Sequence, residues 1–310
     1  MFKNVIKKQL KNRLLKLQRQ DVNSVIASLP VDLRFGLVDI GSAGAIQSKW
    51  LHLKPYIEYI GFEPDKRSFD ELEKQDKGFH KYKILNVGLW SKRCIKTLNL
   101  CRKTLVSSIY NPNLKLLKKY RNPSRFDVID SKFIDLDSLD NALSDIGFRQ
   151  DYIKLDIQGA ELEVLKGSTQ TLKNAFFVEV EVEFREIYLD QPLFGDVSKF
   201  LEDENFIFTD FLSTAKYYRQ QNNYGGDLIF ADALFMKDPT EINFDEDFDL
   251  ESVNAYIFIL FLTKKYDALK YIEEMSKKYS ILCKFDCFFK VVNKIIHKEN
   301  KLMRRMWNAL

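Results

Sequence analysis

Cysteine is scarce in this chain. Four cysteines in 310 residues do not make a disulfide framework. Cys283 and Cys287 have three residues between them and no CxxC partner, which argues against a zinc site. Histidine is scarcer still. His52, His80 and His297 are scattered, so no metal is expected. Long apolar runs are also missing. The longest, AYIFILFL at 255–262, is far below the roughly 20 residues that a membrane span requires. No N-terminal apolar core of signal-peptide length is present, and there is no internal repeat and no low-complexity linker. These absences point to a cytoplasmic protein with reduced thiols.

The net charge of +4 is too small to name a partner by itself, and no nucleic-acid partner is expected. Its distribution says more. The first twenty residues carry Lys3, Lys7, Lys8, Lys11, Arg13, Lys16 and Arg19 and no acid. With Phe2, Ile6, Leu10 and Leu14 on one face, residues 1–30 read as a basic amphipathic helix, able to dock on the domain or to rest on an anionic membrane surface. Residues 101–125 again hold seven basic side chains and no acid. Such a segment attracts an acidic or phosphorylated ligand, or is simply a solvated face.

Residues 31–240 alternate between strand-like and helix-like segments, and residues 241–310 read as helices alone. Strands are expected at GLVDI (36–40), YIEYIGFEP (56–64), YKILNVGLW (82–90), YIKLDIQ (152–158), FFVEVEVEF (176–184), FIFTDF (206–211) and DLIFADALFMK (227–237). IKTLNL (95–100) and FDVIDSKFIDL (126–136) form an added pair. Helices are expected after GSAGA, over RSFDELEKQ, over AELEVLKGSTQTLKN and around 194–204. The alternation implies an α/β fold with a mostly parallel sheet, covered on both faces, and ligands at the carboxyl ends of its strands. No helix separates the last two strands, so they should form an antiparallel pair at one edge.

VDIGSAGA (38–45) places an acid and two glycines where a strand ends. Gly41, Ser42 and Gly44 would let a ligand approach the backbone closely. Glu63 lies 22 positions after Gly41, at the end of the next strand, the spacing at which a carboxylate accepts ribose hydroxyls. A dinucleotide turn wants GxGxxG; here the three positions are Gly41, Ala43 and Ile46. S-adenosylmethionine has no phosphate and needs less clearance. The turn therefore leans towards that cofactor, with an NAD-dependent oxidoreductase as the disfavoured alternative.

VDIGSAGAIQSKW, IGFEPD, VGLWS, SSIYNPN, DYIKLDIQGAELEVLKG, VEVEVEF, YLDQPLFGDVSKFL and ADALF follow one another between about Leu37 and Lys237. In this order they resemble the FkbM-type methyltransferases. The resemblance implies a Rossmann-like class I methyltransferase fold and S-adenosylmethionine-dependent methylation, typically of a hydroxyl on a saccharide or other small acceptor. It implies cofactor contacts from Asp39, Gly41 and Glu63, and from Asn86 and Val87 beside the adenine. Many members have DVGANxG or DVGARGG where this chain has DIGSAGA, so the donors to the methionine part do not transfer directly. The N-terminal helix and the last 65 or so residues lie outside the resemblance. A non-catalytic module that binds a glycan or a protein is the rival from another class.

Methylating an alcohol requires its proton to be removed. Asp156 in LDIQGAE ends a core strand and is the first candidate base, its other role being a cofactor contact or a helix cap. VEVEVEF (178–184) then poses a problem, since a covered parallel strand should be apolar throughout. Glu179, Glu181 and Glu183 must share one side and the valines the other. Unpaired burial of three carboxylates is expensive, so that side is wet or partnered. Glu181 and Glu183 lie nearer the carboxyl end and are candidate catalytic residues, facing the acceptor. Ser107, Ser108, Tyr110 and Asn111 in SSIYNPN are candidates for orienting the acceptor. Tyrosines and amides in YYRQQNNYGG (217–226) suit sugar contacts.

Overall fold

The computed structural model describes residues 19–42, 46–74, 78–219 and 224–307. The N-terminal basic segment up to residue 18, Gly44 in the glycine turn, and residues 220–223 of YYRQQNNYGG lie outside the described residues. The chain divides into two compact units, Phe35–Asp238 and Met1–Arg34 with Pro239–Leu310.

The larger unit is built on ten strands: β1 (Phe35–Ile40), β2 (Ile57–Phe62), β3 (Lys81–Leu85), β4 (Gly88–Leu89), β5 (Cys94–Cys101), β6 (Val128–Asp137), β7 (Tyr152–Leu155), β8 (Phe177–Glu183), β9 (Phe206–Tyr217) and β10 (Asp227–Lys237). Seven of them form one sheet in the order β3-β2-β1-β7-β8-β10-β9. The pairs from β3 through β8 are parallel; β10 runs antiparallel to β8 and to β9. This is the Rossmann-like, class I methyltransferase architecture, with the antiparallel pair at one edge. The order reverses between β1 and β7, which makes their carboxyl ends the switch point where a ligand binds.

One face of the sheet carries the main apolar core. Val38 and Ile40, Ile153 and Leu155, Val178, Val180 and Val182, and Ala231, Ala233 and Phe235 pack there against Leu162, Val164, Leu165, Leu172, Val197 and Leu201. Those last six lie in or beside the helices Glu161–Lys166, Thr169–Asn174 and Phe194–Asp203. The period-two rule then sends Glu179, Glu181 and Glu183 to the opposite face. All seven residues of β8 are nonetheless buried, so that face is covered, not wet.

Three expectations about elements need correction. The third strand stops at Leu85 and does not run to Trp90; Gly88–Leu89 instead pairs with β6 in a separate sheet of order β4-β6-β5. The amide of Asn86 donates to the Glu63 carbonyl at 2.8 Å, and a Cβ at Gly88 would stand 2.4 Å from Leu136, so the chain leaves the first ladder and presses against β6. No helix follows the glycine turn among the described residues. Residues 48–53 are turns that lead into a short 3-10 segment at Lys54–Tyr56. Pro55 within that segment lacks the N–H that a continuing helix needs. Third, AELEVLKGSTQTLKN is two helices, broken at Gly167, where a Cβ would lie 2.5 Å from the Trp90 carbonyl.

The smaller unit is helical, as expected of the C-terminal residues. It holds a helix over 19–26 and the helices Leu250–Leu262, Tyr266–Met275 and Asp286–Trp307. Asp249 caps the first of these three by accepting from the Ser252 N–H at 2.8 Å. Lys298 reaches Asp21 at 3.1 Å, which ties the helix over 19–26 to the last one. Among the described residues no helix is long and apolar enough to cross a membrane.

Candidate active site

Two backbone turns meet at the switch point. After β1, the N–H groups of Gly41 and Ser42 both donate to the Phe62 carbonyl at 3.2 Å. After β7, the Asp156 N–H donates to the Ile40 carbonyl at 3.0 Å. Gly41 has φ of +83°, and a Cβ there would stand 2.1 Å from the Asp156 carbonyl oxygen. Only glycine satisfies both constraints.

The turns border a cavity of about 610 Å³ lined by Gly41, Phe62, Glu63, Pro64, Val87, Leu89, Ser107, Asp156, Gln158 and Glu181, among others. Glu63 follows β2, and its Oε1 accepts from the Asp65 N–H at 2.7 Å. Together these residues fit S-adenosylmethionine: a fixed carboxylate for ribose hydroxyls, apolar side chains for a base, and a glycine turn without side-chain bulk. Among the described residues no helix starts at that turn to receive a pyrophosphate, unlike a dinucleotide site.

Other sequence candidates serve the cavity from behind. Asp39 does not line it. Its carboxylate accepts from the Tyr59 hydroxyl at 2.8 Å and from Lys154 at 3.3 Å. Ser42 donates to the Phe62 carbonyl, and Asn86 to that of Glu63. Ser107 reaches the cavity, whereas Ser108 is buried and donates to the Gln158 carbonyl at 2.7 Å. Tyr110 and Asn111 do not line the cavity, contrary to the expectation for SSIYNPN. Asn99 donates to the Tyr110 carbonyl and Leu189 to the Asn111 carbonyl, so this stretch is spent on holding its own loop. Burial, with Glu163 and Glu161 nearby, pushes the Tyr110 hydroxyl up to about 12.

The three glutamates of β8 have three different environments. Glu179 is ion-paired with Lys49 and hydrogen-bonded to the Tyr152 hydroxyl and to Gln47. Burial pushes its carboxyl up, but Lys49 and these bonds more than offset that and hold it below the usual value. Glu181 lines the cavity and accepts from Gln158 Nε2 at 2.8 Å. Glu183 does not line it, against expectation; it is buried, and a hydrogen bond from the neighbouring Gln191 amide opposes the rise of its carboxyl. Burial, with the charges of Asp156 and Glu161 among others, pushes both Glu181 and Glu183 well above the carboxylate range. Asp156 is also raised, by burial first, against the opposing pull of Lys154 and Gln158. It sits deep in the protein, yet its side chain is 40 % exposed, because solvent filling the cavity reaches it.

Gln158, unremarked in the sequence, organises this cluster. Its Nε2 donates to Asp156 Oδ1 at 3.0 Å and to Glu181 Oε1 at 2.8 Å. An amide NH₂ has two protons, one for each carboxyl group. Its Oε1 lies 3.1 Å from the Tyr188 hydroxyl, whose one proton is shared with the Val106 carbonyl at 2.9 Å. The backbone at Gln158 has φ of +61°, uncommon without glycine, and Gly159 follows at +102°. Lys154, also missed, lies 3.3 Å from Asp39 and 3.9 Å from Asp156. Burial works against its charge, but those carboxylates hold it protonated. A lysine two residues before Asp156 on a strand was the only signal in the sequence.

Comparison with known proteins places the chain. No curated protein matches it. Among solved structures it is similar to magnesium protoporphyrin IX methyltransferase from Synechocystis, at 12 % identity, covering 71 % of this chain and 79 % of that one, with a TM-score of 0.36. It is similar to a putative tRNA (m1A22) methyltransferase from Streptococcus pneumoniae, at 13 % identity, covering 84 % and 94 %, with a TM-score of 0.35. Likeness at this level carries no information about the acceptor. The methyltransferase FkbM domain matches residues 47–208, just over half of the chain. The protein thus belongs to the FkbM methyltransferase family, whose cofactor is S-adenosylmethionine.

Proposed function

We propose that the protein methylates a hydroxyl oxygen of a saccharide or another small hydroxylated acceptor. The observation that carries this reading is Asp156, a cavity-facing carboxylate held by Gln158 beside the glycine turn. S-adenosylmethionine, when bound, supplies a methyl group on a sulfonium that leaves as a neutral thioether. Glu63 would accept the ribose hydroxyls, with Phe62, Val87 and Leu89 against the base. Asp39 acts from behind, fixing Lys154, which in turn faces Asp156.

Asp156 Oδ1 is taken by Gln158, so Oδ2 is the atom that receives the hydroxyl proton as the acceptor oxygen gains the methyl group. Its raised pKa makes it a stronger base than an ordinary aspartate. Burial and the neighbouring carboxylates raise the pKa of Glu181, which favours its protonated form, and in that form it would donate a hydrogen bond to the acceptor. Two neighbouring carboxyl groups with different protonation states divide acid and base roles in this way. Holding the acceptor oxygen in line with the methyl group contributes roughly 7–11 kcal/mol by proximity alone.

The test is Asp156→Asn. The variant should bind S-adenosylhomocysteine like the wild type, by calorimetry, and lose about 10²-fold or more in methyl transfer to a hydroxyl. Unchanged turnover would remove Asp156 from the mechanism. Failure of the wild type to bind S-adenosylhomocysteine would sink the reading as a whole.

A further inference from the structure

The cavity extends along the sheet. Gly41 and Glu63 directly follow β1 and β2, while Tyr217 and Phe230 belong to β9 and β10. From β1 to β10 is three strand spacings, about 14 Å. Asp156 and Glu181, from β7 and β8, lie between. The far end is therefore beyond the reacting centre as seen from the cofactor turn, where the rest of an acceptor must go.

That end is cationic. Arg125 and Lys103 both line it. The Arg125 guanidinium lies 4.5 Å from the Tyr217 ring centroid and 5.0 Å from that of Phe126. Its Nε is buried without a hydrogen-bond partner, and among the described residues no carboxylate pairs with it. The neighbouring arginines are different: Arg102 pairs with Asp127 at 3.3 Å, and Arg219 with Asp227 at 2.5 Å. Lys103 likewise makes no ion pair among the described residues.

A half-buried guanidinium among aromatic rings, its Nε out of water and no carboxylate paired with it, favours an anion as its partner. Ring faces hold the plane of an arginine in place and repay part of the cost of its burial. The Tyr217 hydroxyl takes one hydrogen bond from Arg125, and the remaining terminal N–H groups can meet an oxyanion. A neutral sugar offers no such counter-charge.

We propose that the acceptor is an anion, carrying a carboxylate or phosphate that pairs with Arg125 and Lys103 while its hydroxyl meets Asp156. This rests on the hydroxyl-methylation reading above, and it narrows the acceptor to acidic sugars, sugar phosphates or similar hydroxy anions.

The experiment is calorimetric titration of the full chain with inorganic phosphate, glucuronate and glucose, with and without S-adenosylhomocysteine. The wild type should bind at least one of the two anions saturably and at least about tenfold more tightly than glucose, the scale expected of a charge-assisted pair. Arg125→Gln should erase that preference, and Arg125→Lys, which keeps the charge but loses the planar fork, should keep only part of it. Phosphate against glucuronate distinguishes the two sources of charge. The inference is overturned if neither anion binds the wild type, if glucose binds equally well, or if the preference survives Arg125→Gln. S-adenosylhomocysteine affinity, measured in each variant, separates loss of fold from loss of the anion contact. Anion binding at Arg125 without methyl transfer to any hydroxyl would fail the transfer reading and leave the anion site standing.

Discussion

Gln158 Nε2 stands 2.8 Å from Glu181 Oε1, and the same nitrogen reaches Asp156 Oδ1 at 3.0 Å. One amide thus bridges two neighbouring carboxyl groups. Gln158→Ala removes a bond that lowers the Asp156 pKa. The acid limb of the pH profile of kcat/KM should move to higher pH, because the base then ionises later. Gln158→Glu puts a third carboxyl group there and should cost about 10²-fold in kcat. A pH profile that does not move in Gln158→Ala would show that the amide plays no part in tuning Asp156.

Gly41→Ala sets a Cβ against the Asp156 carbonyl at 2.1 Å in a left-handed conformation. It should lower the unfolding free energy by roughly 2 kcal/mol or more and abolish S-adenosylhomocysteine binding. Gly195→Ala is the control. Nothing lies within 4 Å of its Cβ, and it sits in the helix Phe194–Asp203, where alanine should add about 0.5 kcal/mol. Urea unfolding of both variants checks the contrast.

Glu161 is buried, with Oε1 accepting from the Ile157 N–H and Oε2 from that of Gly159. Burial raises its carboxyl to about 7, from 4.5. Between those values the folded state binds the proton and the unfolded state releases it, so stability falls as pH rises through this window. Glu161→Gln carries no titrating proton. Thermal melts from pH 5 to pH 8 should show a flatter pH dependence for the variant. Parallel wild-type and variant curves would refute the assignment.

Lys49 and Glu179 test the closed end of β8. Lys49→Met leaves a buried carboxylate without its cation and should cost roughly 3 kcal/mol in urea unfolding. Adding Glu179→Gln should recover part of that loss, since no charge is then stranded. Equal stability of Lys49→Met and the wild type would mean that Tyr152 and Gln47 suffice. Glu179, its pKa depressed, contributes stability above the unfolded carboxylate value, which is lost as pH falls through the folded one.

Strands and their sidedness were legible because hydrophobic periodicity is a local signal, and VEVEVEF fixed its valines on the core face without further information. The spacing of Gly41 and Glu63 led to two residues that line the cavity. What escaped depended on contacts between distant segments. Whether 82–90 stays in one sheet is decided by Leu136 against Gly88, 48 positions away in the chain. Gln158 is an ordinary polar residue until its left-handed backbone aims the amide at Glu181. Arg125 looked like one member of a solvated charge run; only Tyr217, 92 positions later, distinguishes it. Conversely, Tyr110 and Asn111 have the composition of a binding loop, but their carbonyls accept from Asn99 and Leu189 and neither residue lines the cavity.

The contact between Gly41 and the Asp156 carbonyl also has a thermodynamic consequence. Were one turn to adjust to its ligand, the other would have to move with it, because Asp156 N–H is bonded to the Ile40 carbonyl, and the two occupants of the cavity would then not bind independently. Whatever factor the first ligand applies to the affinity of the second, the second must return to the first. Donor and acceptor affinities would then be a single coupled quantity, readable from either side of the reaction.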